Sequence, residues 1–163
     1  MPIIYNPANT LRDILPGPGN NIGVDGGMFS GVPETQQSFQ QCLAVTLTSA
    51  QITTMFTTPV TLLRAPGADV GYIIDYSVFK YNFGGTAYTS GGVVSIQYNG
   101  GAAVANTIPA ATVTAGASSS TVVVTGASNI VVTQNAALTI TNATGAFATG
   151  NGTAQVLLWY SIV

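Results

Sequence analysis

The sequence contains no histidine, a single cysteine, and only three basic and five acidic side chains in 163 residues. Without histidine there is no Ser-His-Asp or Cys-His nucleophile, no imidazole metal ligand and no histidine proton relay. One cysteine, Cys42, allows neither an intrachain disulfide framework nor a multi-cysteine metal site, and it reads as a small buried apolar residue. The basic residues are Arg12, Arg64 and Lys80. They are too few to neutralise a run of phosphates, so no direct nucleic-acid partner is expected.

The acidic residues are equally thin: Asp13, Asp25, Glu34, Asp69 and Asp75. No loop holds the several carboxylates that calcium prefers, and no metal site is expected. Carboxylate-pair hydrolysis needs two acids at a defined separation. Three of the five precede Cys42, and Gly71 lies between the other two, leaving the relative direction of Asp69 and Asp75 open. The simpler reading is a turn aspartate and a strand aspartate that pairs with Lys80 or Arg64. No catalytic residue and no cofactor are assigned, and the chain is read as a non-enzymatic structural protein. The Gly84-Gly85 and Gly91-Gly92 pairs read as hairpin connections, because no lysine-bearing strand–loop–helix unit follows them.

Long apolar runs are also missing, although 47% of residues are hydrophobic and the mean hydropathy is +0.42. The longest run, Val156 to Tyr160, is strand-sized, whereas a membrane helix needs about 20 apolar residues. Met1 to Leu15 carries Pro2, Asn6, Pro7, Asn9 and the Arg12-Asp13 pair, which is not the pattern of a secretory signal. A hydrophobic chain with a net charge of −2 does not match the composition of disorder. Its surface must be made of Thr, Ser, Asn, Gln, Ala and Gly, with little charge repulsion between copies. Assembly with itself or other proteins is the natural reading.

What is present divides in two. Residues 1–41 hold Pro2, Pro7, Pro16, Pro18 and Pro33, and the Pro-Gly-Pro-Gly-Asn-Asn run from Pro16 excludes a helix or a central strand. The segment reads as an extended N-terminal arm. Ile3, Ile4, Tyr5, Leu11, Ile14, Leu15, Met28 and Phe29 make it too apolar for a solvated linker and suit it to lying along a partner surface.

Residues 42–163 read as an all-β domain, a jelly-roll-like antiparallel β-sandwich with one short helix. Strands are expected near 43–47, 60–64, 71–83, 92–98, 103–108, 119–125, 128–134, 136–142 and 153–162, divided by Gly-rich turns. Thr48-Ser49-Ala50-Gln51 opens like a helix cap, with Ile52, Met55 and Phe56 at helical spacing before Pro59. Val94, Ile96 and Tyr98 alternate with Ser95 and Gln97, and Leu138 and Ile140 with Thr139 and Thr141, which predicts one wet face. The last strand differs, because Leu157 and Trp159 oppose Ala154, Val156, Leu158, Tyr160 and Ile162. Both faces call for burial, so Leu157 and Trp159 are the candidate subunit interface.

Tyr72, Tyr76, Phe79, Tyr81, Phe83, Tyr88 and Tyr98 cluster mid-chain and read mainly as core and cross-strand pairs. Asn142-Ala-Thr144 and Asn151-Gly-Thr153 match the glycosylation pattern, as chance would provide in a chain this rich in Asn and Thr.

From Leu43 to Val163 the chain resembles a family of small phage virion proteins. The resemblance lies in Ala-Val-Thr-Leu-Thr-Ser-Ala-Gln-Ile (44–52), Pro-Val-Thr-Leu-Leu-Arg-Ala-Pro-Gly-Ala (59–68), Lys-Tyr-Asn-Phe-Gly-Gly-Thr-Ala-Tyr-Thr-Ser-Gly-Gly (80–92) and Thr-Asn-Ala-Thr-Gly-Ala-Phe-Ala-Thr-Gly-Asn-Gly-Thr (141–153). It implies a head decoration, or cement, protein of a tailed bacteriophage, a homotrimer on the outer surface of the capsid with the major capsid protein as partner. The arm has no counterpart in that resemblance. The alternative is a receptor- or glycan-binding head or fibre domain of the virion.

Overall fold

The computed structural model describes residues 40–117, 120–126 and 130–163. The proposed arm and its eight apolar residues lie outside the described residues, except for Gln40 and Gln41 at its end. Nine strands and two short helices follow in the order β1 (Gln41–Leu47), α1 (Ser49–Thr54), β2 (Val60–Leu63), β3 (Tyr72–Asn82), β4 (Thr89–Ser90), β5 (Val94–Tyr98), α2 (Ala110–Val113), β6 (Ser120–Thr125), β7 (Leu138–Asn142), β8 (Phe147–Ala148) and β9 (Thr153–Ile162).

Two antiparallel sheets form the sandwich, one ordered β1-β9-β3-β6 and the other β2-β7-β5. Residues 103–108 extend the second sheet beyond β5 through the bridges Gln97↔Ala103 and Val94↔Ile108. With that segment counted as a strand and the small β4-β8 pair set aside, the order is that of a jelly roll. The bridge Ala105↔Gly126 then joins the second sheet to the end of β6 and closes one side of the sandwich.

The period-2 pattern explains the core. In β9, Ala154, Val156, Leu158 and Tyr160 point inward, and from β3 so do Tyr72, Ile74, Phe79 and Tyr81. Val94, Ile96, Leu138 and Ile140 meet them from the opposite sheet. A bulge between Ile74 and Tyr76 lets Asp75 and Tyr76 share the level of Trp159, which re-phases the rest of β3 so that Ser77 and Phe79 face the core. Helix α1 caps one end. Thr48 is its N-cap, with Gln51 N donating to Thr48 Oγ1 at 3.2 Å and Thr48 N donating to Gln51 Oε1 at 2.9 Å. Ile52 and Met55 are buried, whereas Phe56, expected on the same face, is 43% exposed because the helix has ended at Thr54.

Three expectations are corrected. No strand forms across the described part of 128–134, where Val131 is 85% exposed. Both edges of β7, the strand this β-prone stretch leads into, are already taken by β2 and β5, so it cannot pair there; instead Asn135 N donates to Val70 O at 2.8 Å. The polar face of β5 and β7 is not wet, because Ser95, Thr139 and Thr141 are all buried. Thr141 Oγ1 donates to Met55 O at 2.8 Å, so the end of α1 meets that face at Thr141. Cys42 is exposed, because the inward positions of β1 are Leu43, Val45 and Leu47.

Tyr88 bridges the α1 end, donating to Gly152 O at 2.7 Å while its ring meets Phe147 at 6.0 Å. Burial, with Tyr81 adding to it, raises its phenol from 10.0 to about 12. The folded state therefore holds the proton where the unfolded chain releases it. Stability should be independent of this group below pH 10 and should fall as pH rises from 10 to 12. Urea midpoints between pH 8 and 12 check this, and Tyr88→Phe should flatten the alkaline limb. At the sandwich closure, a Cβ on Gly126 would lie 2.2 Å from Ile74 O, which is backbone and cannot swing aside. Gly126→Ala should cost about 1–3 kcal/mol in chemical denaturation.

Candidate interaction surface

The side of the β1-β9-β3-β6 sheet that faces away from the core is ordered by strand register. One row across the sheet is Cys42, Trp159 and Tyr76; the next is Ala44, Leu157 and Val78; the third is Thr46, Gln155 and Lys80. Leu157, Trp159, Tyr76 and Val78 are half-buried, and Cys42, Ala44, Thr46 and Lys80 are exposed. The middle of this face is thus apolar, with polar groups at both strand ends.

Trp159 and Tyr76 lie on adjacent strands with ring centroids 4.3 Å apart and planes 13° from parallel. Each ring covers one face of the other, which keeps Trp159 from full exposure without any second protein. Beyond them, Gln40 Nε2 donates to Asp75 Oδ2 at 2.9 Å and Ser161 Oγ reaches the same oxygen at 3.4 Å. Asp75 is thereby fastened at the rim. The expected partners of Asp75 were Lys80 or Arg64, but the bulge places it at the level of Trp159, two rows from Lys80, and beside Gln40 and Ser161.

The sequence therefore located Leu157 and Trp159 on the outward face of a central strand, and the structure adds Tyr76, Val78, Ala44 and Cys42 from the strands on either side. Tyr76 and Val78 lay hidden in the sequence because the bulge interrupts the alternation that would have set them on one face with Trp159. The other mid-chain aromatics are not surface groups. Tyr72, Phe79, Tyr81, Tyr88 and Tyr98 are core, and Phe83 packs against it. Burial raises the phenols of Tyr72, Tyr81 and Tyr98 above their usual value, as expected of hydroxyls withdrawn from water.

Asp69 sits in an exposed turn with φ 61°, apart from the sheet face on which Asp75 lies. Among the described residues no three His, Cys, Asp or Glu side chains are grouped to hold a metal ion. Both asparagines of the glycosylation-like motifs hold turns: Asn142 Oδ1 accepts from Gly92 N at 3.0 Å, and Asn151 Oδ1 from Thr86 N at 2.9 Å. A small recess lined by Tyr72, Ile74, Tyr98, Val104, Ile130 and Val132 has no charged wall. Among the described residues no helix is long and apolar enough to cross a membrane.

No family model and no curated protein sequence matches the chain. Among solved structures, a chain of the "Cyanophage Pam1 capsid asymmetric unit" is similar at 19% sequence identity and a TM-score of 0.49, over 96% of this chain and 99% of that one. A likeness this loose adds nothing to the reading of the surface.

The aromatic stack is measurable by itself. A double-mutant cycle with Tyr76→Ala and Trp159→Ala should give a coupling of about 0.5–1.5 kcal/mol in urea unfolding. Additive losses would mean that the rings are neighbours without mutual stabilisation.

Proposed function

We propose that the protein is a structural component of a bacteriophage virion, a decoration protein that binds the outside of the head and stabilises it. The observation that carries the assembly part is the outward sheet face, apolar at its centre on a molecule with only eight charged side chains (three basic, five acidic). The phage context comes from the sequence resemblance over Leu43 to Val163. A jelly roll is compatible with the role, although the fold hosts many others.

In this reading the arm reaches the major capsid protein, and the sandwich spans the joint between capsid subunits. Apolar burial yields about 25 cal/mol per Å², so even a few hundred Å² per copy contributes several kcal/mol before association costs. Repeated over a shell, that resists the outward pressure of packaged DNA. No enzymatic step is part of the role, and no cofactor is required.

The arm assignment is tested by truncation. Removal of residues 1–39 spares Gln40 and its bond to Asp75 and leaves β1 whole. The truncated protein should fold, with an unchanged urea midpoint for the sandwich, yet fail to co-sediment with heads. Undiminished head occupancy would remove the arm from the mechanism. A cryo-EM map of the particle tests the rest, with many copies over the head surface expected and a handful at a tail or vertex counting against decoration.

A further inference from the structure

We propose that the outward face of the β1-β9-β3-β6 sheet pairs with the same face of a second copy of this chain across a two-fold axis. The inference goes beyond the virion reading and stands on the surface alone. Its basis is the self-complementary order of groups along that face.

Take the row of Leu157 and Val78 as the centre. Two residues one way along β3 is Lys80, opposite Gln155. The same step the other way reaches the level of Trp159, which Tyr76 and the bulged Asp75 share. The acid and the base on this face therefore sit at matching distances on either side of an apolar centre, about 13 Å apart along the strand. A surface that meets its own copy across a two-fold needs this property, that group i meets j while j meets i.

The charges also select the direction of packing. An axis in the plane of the sheet and parallel to the strands lays Lys80 over the partner's uncharged end, with Asp75 again near its like. An axis in that plane but perpendicular to the strands reverses them. Lys80 of each copy then crosses the Tyr76–Trp159 stack of the other and reaches its Asp75, while Leu157, Val78 and Ala44 meet their equivalents. The contact gains two ion pairs and two cation–π contacts together, and the apolar rows are covered. One oxygen of Asp75 takes both Gln40 and Ser161, which leaves the carboxylate oriented with its other oxygen for the ammonium.

The area sets the strength. Four strands about 4.8 Å apart and about five residues deep give roughly 350 Å² per copy. A standard interface buries about 800 Å² per partner, so the pair is weak in dilute solution and favoured where copies are concentrated. Salt weakens it by screening the two ion pairs.

Sedimentation of the purified full-length chain, from micromolar to near-millimolar concentration and without capsids, tests the pairing. A monomer–dimer equilibrium is expected, with the dissociation constant rising several-fold between 50 and 500 mM NaCl. Lys80→Asp and Asp75→Lys should each weaken it tenfold or more, and the double exchange should restore it, because the exchanged charges again meet across the axis. Cys42, exposed at the edge of the face, reports independently: its reaction with a thiol reagent should slow as the dimer fills. Far-UV circular dichroism confirms that each variant is folded. A monomer at every concentration, a trimer, or a dimer indifferent to both reversals overturns the proposal. None of these outcomes bears on head binding, so decoration is judged separately.

Discussion

Strand β9 is the member on which the rest of the molecule hangs. It pairs with β1 along one edge and with β3 along the other, and these ladders account for most of the larger sheet. A strand with both edges taken has no backbone group left for water, so its side chains alone decide what each face does. Inward, Ala154, Val156, Leu158 and Tyr160 close the sandwich; outward, Leu157 and Trp159 remain for something else. Fold and surface are thus two readings of one ten-residue segment.

The near absence of charge acts on top of that. An ordinary soluble domain keeps apart from its neighbours by surface charge, about a quarter of its residues being ionisable. Here the exposed groups are mostly hydroxyls, amides and methyls, and the few charges gain weight because so little competes with them. Asp75 and Lys80, unremarkable in a charged protein, become the features by which this face can tell one orientation of a partner from another. Hydrogen bonding is internalised similarly. Thr141 Oγ1 donates to Met55 O and Asn142 Oδ1 accepts from Gly92 N, so these buried polar side chains are tied to the backbone of neighbouring segments, although Asn142 Nδ2 is left without a partner.

Much of this was legible from the residues. The alternation in β5, β7 and β9, the capping signal of α1 and the Gly-punctuated spacing of strands gave the sandwich and the outward placement of Leu157 and Trp159. What failed did so wherever the answer depended on a partner distant in sequence. Ile130 to Val132 has the composition of a strand, but strand formation needs a free edge, and none is offered there. Thr141 looks like a solvent-facing residue until the carbonyl of Met55, at the end of α1, is set against it. Cys42 has the residue type of a core position, but its parity in β1 sets it on the outward face. The bulge at Asp75 leaves no clear trace in the alternation, yet it sets Tyr76 against Trp159.

The bridge between Ala105 and Gly126 has a consequence for growth. It ties the outer strand of one sheet to the outer segment of the other, so among the described residues the open edges, β1 and β2, lie together on the opposite side. Addition of strands can extend a chain of molecules without limit only if each unit offers two separate sites. A flank sealed by that bridge takes no added strand, so among the described residues of the sandwich growth by strand addition can start only from β1 or β2. The same closure that completes the jelly roll therefore halves the sandwich edges from which a sticky, weakly charged protein could run on into fibres.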